Sequence, residues 1–174
     1  IGNTGHGNGL YLLDKHGQPV RNGIQSLDTR ADGVLAERKR RGILEKAFPY
    51  ILQEFWPAQP NALLPWLKQH EPDSYSRIAH IVTCKDYVKF RLTGEVATDY
   101  TDISGTCLLD NANKRYSRDL LEWYGIPEMW DALPRLAEST DIIGQVTKDA
   151  AAATGLAAGT PVVGGLFDVD AGAL

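Results

Sequence analysis

With 174 residues, 43% of them hydrophobic and 23% charged, the chain has enough material for one ordinary domain with a modest core. Its formal charge of −4, from 18 basic and 22 acidic residues, argues against the basic surface a nucleic-acid partner needs, and no apolar run approaches the roughly 18 residues of a membrane span. The 2 cysteines, Cys84 and Cys107, lack metal-ligand spacing, which speaks against a disulfide framework or a zinc site and suits a reducing, cytoplasmic compartment.

Leu10-Tyr11-Leu12-Leu13 predicts a short strand ending at Asp14, and Lys15-His16-Gly17-Gln18-Pro19 supplies a turn. A second run around Ile24 closes a hairpin behind a glycine-rich opening loop. From Arg30 to Arg41 the Ala, Leu, Glu, Lys and Arg content predicts a helix that stops near Gly42. The next helix carries Leu44, Phe48 and Ile51 or Leu52, with Pro49 speaking against it. Asn61 reads as the N-cap of a further helix, in which Pro65 is tolerable only near the first turn. Thr83 followed by Asp86 is a start signal. The hydroxyl is expected to accept from a free helical N–H, and the carboxylate to answer the helix dipole. That helix runs through Tyr87, Val88 and Leu92 to Gly94. Ser117 to Tyr124 forms another, stopped by Gly125, and Thr147 caps an Ala-rich helix ending at Gly155. Thr160-Pro161-Val162-Val163 reads as a buried strand, Gly164-Gly165 as its sharp exit, and the residues after Asp168 as a helix start. Alternation of this kind defines an α/β fold in one domain. A chain that begins at Ile1 and carries its only methionine at Met129 also reads as a segment of a longer protein.

Gly2, Gly5, Gly7 and Gly9 end in a G-x-G-x-G spacing, which is not the dinucleotide fingerprint G-x-G-x-x-G, and no G-K-[ST] follows as a P-loop requires. By themselves these glycines describe a turn between strands. His6 and Asn8 stand between them, and a backbone without Cβ atoms lets a ligand approach polar side chains that can bond hydroxyls. Asp168 and Asp170 follow the last strand, at the end where α/β sheets place ligands. Both also suit a helix start, and acids with this spacing do not share one helix face, so one of them is expected to point into a cleft. Thr98 to Thr106 is dense in hydroxyls and acids, a pattern that also describes an N-cap and a solvated turn. The run Glu37-Arg38-Lys39-Arg40-Arg41 reads as a solvated helix face near a C-terminus. His16, His70 and His80 are too far apart in sequence to suggest a metal trio, and no metal-ligand pattern is present.

Taken together and in order, these stretches resemble the FGGY family of carbohydrate kinases. Gly2 to Gly9 followed by Leu12-Leu13-Asp14 is similar to the family's sugar-contacting loop and strand, and Ile24 to Arg30 to its next strand and D-x-R turn. Leu64-Pro65-Trp66-Leu67-Lys68 resembles the K-L-x-W-L signature, with Leu63 where lysine is expected. Lys85-Asp86-Tyr87, Leu92-Thr93-Gly94 and Thr98-Asp99-Tyr100-Thr101-Asp102 match the following block. Gly159 to Gly165 then leads to the position of the family's catalytic aspartate, Asp168, and the wording from Gly164 to Val169 is nearest to L-xylulose and 3-keto-L-gulonate kinases.

The resemblance implies a ribonuclease H-like (actin-like ATPase) fold with two such domains and an active site between them. Residues 1–174 would then be most of the N-terminal, sugar-binding domain, without its opening hairpin and without the C-terminal, ATP-binding domain. It implies ATP-dependent phosphorylation of a sugar hydroxyl, with ATP and Mg²⁺ as cofactors and Asp168 as the base that orients and deprotonates the hydroxyl. Gly7, Asn8 and Ser26 would line the sugar site and Tyr100 would touch the substrate, with Asp102 and Asp28 as further contacts. Glycerol kinase has an Arg-Glu pair where this chain has Gly7-Asn8, and a tryptophan where it has Ser26. The smaller groups favour a pentulose such as L-xylulose over glycerol. The D-x-G-T phosphate loop and the second family signature are absent, so the chain alone is not expected to turn over ATP. The expected partners are a small-molecule sugar and, as a candidate assembly, a second copy of the chain. Competing readings are a non-catalytic sugar-binding or regulatory relative, a kinase for a polyol such as erythritol or glycerol, and a Rossmann-type dinucleotide binder suggested by the glycines alone.

Overall fold

A computed structural model describes every residue from Ile1 to Leu174. Its strands are β1 (Thr4–Gly5), β2 (Tyr11–Leu13), β3 (His80–Val82), β4 (Ala97–Asp99), β5 (Leu109–Asp110), β6 (Arg115–Tyr116), β7 (Arg135–Ala137), β8 (Ile142–Gln145), β9 (Pro161–Val163) and β10 (Leu166–Phe167). The helices are α1 (Asp32–Arg40), α2 (Ile43–Ile51), α3 (Pro60–His70), α4 (Pro72–Tyr75), α5 (Cys84–Thr93), α6 (Tyr100–Ser104), α7 (Arg118–Tyr124), α8 (Lys148–Thr154) and α9 (Asp168–Ala173), with a 3₁₀ turn over Pro127–Ala132. The fold is α/β, as the alternating pattern predicts.

Strands pair in twos. β1 runs parallel to β10 and β4 parallel to β7, while β2–β3, β5–β6 and β8–β9 are antiparallel. The expected opening hairpin is present as bridges between Leu10 and Ile24 and between Leu13 and Pro19. The main core lies between this hairpin and the helices α1, α2, α3 and α7, and includes Leu10, Ile24, Leu35, Ile51, Leu63, Leu67, Leu108 and Leu121. A second packing centre is built differently. Helix α5 lies against β1, β4, β8, β9 and α8, and the face it buries carries Lys85, Asp86, Lys89 and Thr93, while Val88 is 45% exposed.

Local signals placed several boundaries well. Thr147 accepts from the Ala150 N–H at 3.1 Å, and Gly94, Gly125 and Gly155 end their helices in the left-handed conformation. Other expectations are corrected. Helix α2 continues through Pro49, because its face of Ile43, Leu44, Ala47 and Ile51 is buried and that packing outweighs one missing N–H. Asn61 is not a cap: Gln59 takes that position with Pro60 just inside, which leaves Pro65 in the helix interior. Thr83 stands at the N-cap of α5 without capping through its side chain, since its hydroxyl is engaged elsewhere. Within the basic run, Arg38 is buried rather than solvated and donates to the Tyr124 carbonyl at 2.9 Å. Strand β9 is only half buried, with Val162 inside and Pro161 exposed.

Candidate active site

The parallel pair β1–β10 joins the two ends of the chain. Thr4 lies opposite Leu166 and Gly5 opposite Phe167, so the loop His6-Gly7-Asn8-Gly9 and the residue Asp168 leave from the same end of the pair. In α/β architecture that carboxyl end is where ligands sit. Asp168 is exposed, and its Oδ1 accepts from the Val169 N–H at 2.9 Å. Asp170 lines a neighbouring cavity of about 420 Å³, whose wall includes Tyr100, Thr101, Ser104, Gly105, Lys114 and Phe167.

Each candidate side chain has a definite place. Gly7 is buried with its open side against the Phe167 ring: a Cβ there would lie 2.0 Å from Cε2. Its open side therefore receives that ring. Asn8 holds a φ of 59°, and its buried Oδ1 has no hydrogen-bond partner. That atom faces Gly105, at 3.8 Å from the position of a Cβ there. An unpaired buried acceptor beside the loop is a group awaiting a donor. His6 is not free to bond a ligand hydroxyl: its Nε2 lies 3.0 Å from the Tyr11 hydroxyl and its Nδ1 3.3 Å from the Gly7 carbonyl. Ser26 is half buried, and its carbonyl accepts from Trp56 Nε1–H at 3.1 Å. Tyr100 opens α6 at the cavity, with the Lys114 ammonium 5.5 Å from its ring centre. Asp28 is committed to Arg30, which donates to both its carboxylate oxygens at 2.8 Å and holds its pKa below the usual carboxylate value.

Asp102 is 1% exposed and belongs to a buried charge cluster. Its Oδ2 accepts from the Thr83 hydroxyl at 2.7 Å and lies 3.5 Å from Lys85 Nζ. Lys85 Nζ also contacts Asp86 at 3.1 Å and, more closely, Asp99. Lys89 Nζ sits 2.8 Å from Asp86 and donates to the Gly164 carbonyl at 2.6 Å. Burial pulls the Lys85 pKa down, but Asp86, Asp102 and Asp99 together prevail and raise it. For Asp86 burial is likewise outweighed, here by Lys85 and Lys89, and its pKa is lowered. Asp102 goes the other way. Burial, aided by the Asp86 and Asp99 charges, pushes it up to about 6 against the pull of Lys85 and Thr83.

Sequence reasoning missed two residues at this end of the molecule. Trp56 is 52% exposed beside Ser26, and its backbone N–H donates to Gln59 Oε1 at 2.7 Å. Gln59 in turn donates to the Gly105 carbonyl at 2.8 Å, and the Gly9 N–H donates to the Ala58 carbonyl at 2.7 Å. These bonds set an open indole face next to the glycine loop. An exposed tryptophan in a Pro- and Gln-containing loop was the available signal. Phe167 is the second, visible in sequence only as the residue before Asp168.

Comparison with known proteins agrees with this architecture. All of residues 1–174 match the FGGY family of carbohydrate kinases, N-terminal domain. The L-xylulose/3-keto-L-gulonate kinase of Escherichia coli is 42% identical over the whole chain, which covers 35% of that relative, and the xylulose kinase of Bacillus subtilis is 36% identical, with 34% of it covered. Among solved structures, the xylulose kinase of Rhodospirillum rubrum superposes with a TM-score of 0.91 at 32% identity, over 98% of this chain and 35% of that one. The chain belongs to the FGGY N-terminal domain family. It spans about a third of the length of these relatives.

No group of three or more His, Cys, Asp or Glu side chains is placed to hold a metal ion, because the three aspartates that do converge, Asp86, Asp99 and Asp102, already close on the Lys85 ammonium.

Proposed function

We propose that the chain is the sugar-holding part of an ATP-dependent carbohydrate kinase, the first of two ribonuclease H-like domains, and that its substrate is a pentulose such as L-xylulose. One observation carries this reading: the β1–β10 register sends the loop of Gly7 and Asn8 and the carboxylate of Asp168 out of the same sheet end. ATP, held with Mg²⁺ by the remainder of the protein, supplies the phosphoryl group. Asp168 accepts a hydrogen bond from the sugar hydroxyl, aims its oxygen, and takes its proton as the new O–P bond forms and the bond from the γ-phosphorus to the bridging oxygen of the departing ADP breaks. The open Oδ1 of Asn8 accepts from a second sugar hydroxyl, which satisfies an atom that is otherwise buried and unpaired. Trp56 offers its half-exposed indole to the C–H face of the sugar, and Ser26 beneath it leaves room for a substrate longer than glycerol. The similarity to xylulose kinases supports the sugar class.

The test is Asp168→Asn in the full-length protein. The amide preserves size and orientation but cannot take the proton, so phosphorylation is expected to fall by about 10²- to 10⁴-fold, the range typical of general base catalysis, with sugar binding retained. Near-normal kcat in that variant would rule Asp168 out as the base.

A further inference from the structure

Asp168 has little to hold it in place locally. It is exposed, it opens a six-residue helix, and its carboxylate bonds only the neighbouring Val169 N–H. The strand that delivers it, β10, has just two residues and one partner strand.

The segment Gly164–Phe167 is instead tied at both ends to the buried charge cluster. At its start, the Gly164 carbonyl accepts from Lys89 Nζ at 2.6 Å and faces Lys85 Nζ at 3.5 Å. Next, the Gly165 N–H donates to the Ser139 carbonyl at 2.9 Å. At its end, the Phe167 N–H donates to Thr101 Oγ1 at 2.9 Å, and the Thr101 hydroxyl donates in turn to Asp99 Oδ2. Asp99 is fully buried, and it also accepts from the Thr101 N–H at 3.0 Å and from the Ser139 hydroxyl at 3.2 Å while pairing with Lys85. Because the Thr101 hydrogen is committed to Asp99, the oxygen must present a lone pair to Phe167. A hydroxyl free to rotate would impose no such direction.

We infer that Thr101, oriented by the Lys85–Asp99 pair, is a positioning residue for Asp168. It acts through the backbone N–H of the preceding residue and touches no substrate atom. The inference rests on the reading of Asp168 as the base. Removing the hydroxyl frees the peptide that sets the carboxylate's position, and displacement by about 1 Å is enough to cost about 100-fold in rate. Sugar affinity depends on the separate loop of Asn8 and on Trp56, so it should survive.

The experiment compares Thr101→Val, Thr101→Ala, Thr101→Ser and Asp168→Asn in the full-length protein, measuring kcat, sugar KM and the sugar dissociation constant without nucleotide. Folding is followed by circular dichroism melting. Thr101→Val is expected to lower kcat by about 10- to 100-fold with KM and sugar affinity within about 3-fold of the parent, and Thr101→Ser to restore most of the rate. Should the valine variant fail to fold, Thr101→Ala, which needs less room, is read in its place. A kcat within about 2-fold of the parent in the hydroxyl-free variant, or a serine variant as slow as the valine one, overturns the inference. So does an equal loss of kcat and sugar affinity, which a general disturbance of the fold would produce. If Asp168→Asn keeps normal kcat, the reading of the base fails and the inference falls with it. If Asp168→Asn is inactive while Thr101→Val is fully active, only the positioning role fails.

Discussion

Asp102 offers a quantitative test of the buried cluster. Its pKa is pushed from the ordinary 3.8 up to about 6, so the folded chain retains a proton there that the unfolded chain releases. The sign follows from that excess: the favourable contribution is complete below about pH 4, drains as pH rises, and is gone above about pH 6. A shift of about two units corresponds to roughly 3 kcal/mol. Asp102→Asn is neutral throughout and keeps an oxygen for the Thr83 hydroxyl, so the variant lacks this drain. Any change in packing adds a constant at every pH, which makes the slope of the difference the observable. Urea unfolding of the chain and of the variant, between about pH 4 and about pH 7, is expected to show Asp102→Asn gaining about 3 kcal/mol on the parent as pH rises. A flat difference would mean that Asp102 ionises as an ordinary surface acid does, and the account of the cluster would be wrong.

Two further substitutions probe the proposed sugar site. Gly7→Ala places a Cβ 2.0 Å from the Phe167 ring and should cost about 1–3 kcal/mol by thermal unfolding, most of which Phe167→Leu should recover; a double variant no better than Gly7→Ala refutes the contact. Trp56→Ala in the full-length protein should raise the sugar KM by about 10-fold and leave kcat close to the parent, as expected for lost uniform binding, whereas an unchanged KM would remove Trp56 from the sugar site.

What could be read from the sequence was what neighbours in the chain decide. Thr147, Gly94, Gly125 and Gly155 act within one helical turn, so their helices were placed closely. The order of motifs singled out the Asn8 loop and Asp168, which the structure brings to one end of the β1–β10 pair, but a linear pattern carries no information on which atoms face each other. Gly7 looked open in sequence because a glycine reads as absence, yet Phe167 fills that absence from 160 positions along the chain. Asp102 looked solvated because acids and hydroxyls in a turn usually are. The legible hint lay on α5, where Lys85 and Lys89 are separated by one helical turn and flank Asp86. Hydropathy assigns such a face to solvent, and only Asp99, Asp102 and the Gly164 carbonyl, all distant in sequence, make burying it tolerable.

Buried ion pairs are poor stabilisers, since desolvation offsets most of their attraction and well-packed apolar groups of equal volume do as well or better. Stability alone therefore does not account for burying Lys85, Asp86, Lys89, Asp99 and Asp102 together. What charged groups provide and leucines cannot is direction. Lys89 fixes the Gly164 carbonyl, and Asp99 takes the hydrogen that would otherwise let Thr101 rotate. The Thr101 oxygen, so oriented, accepts from the Phe167 N–H just ahead of Asp168, and no side chain bonds the carboxylate itself. A base must remain unbonded on the side from which its proton arrives. Holding it through the preceding peptides is how a carboxylate can be both placed and free.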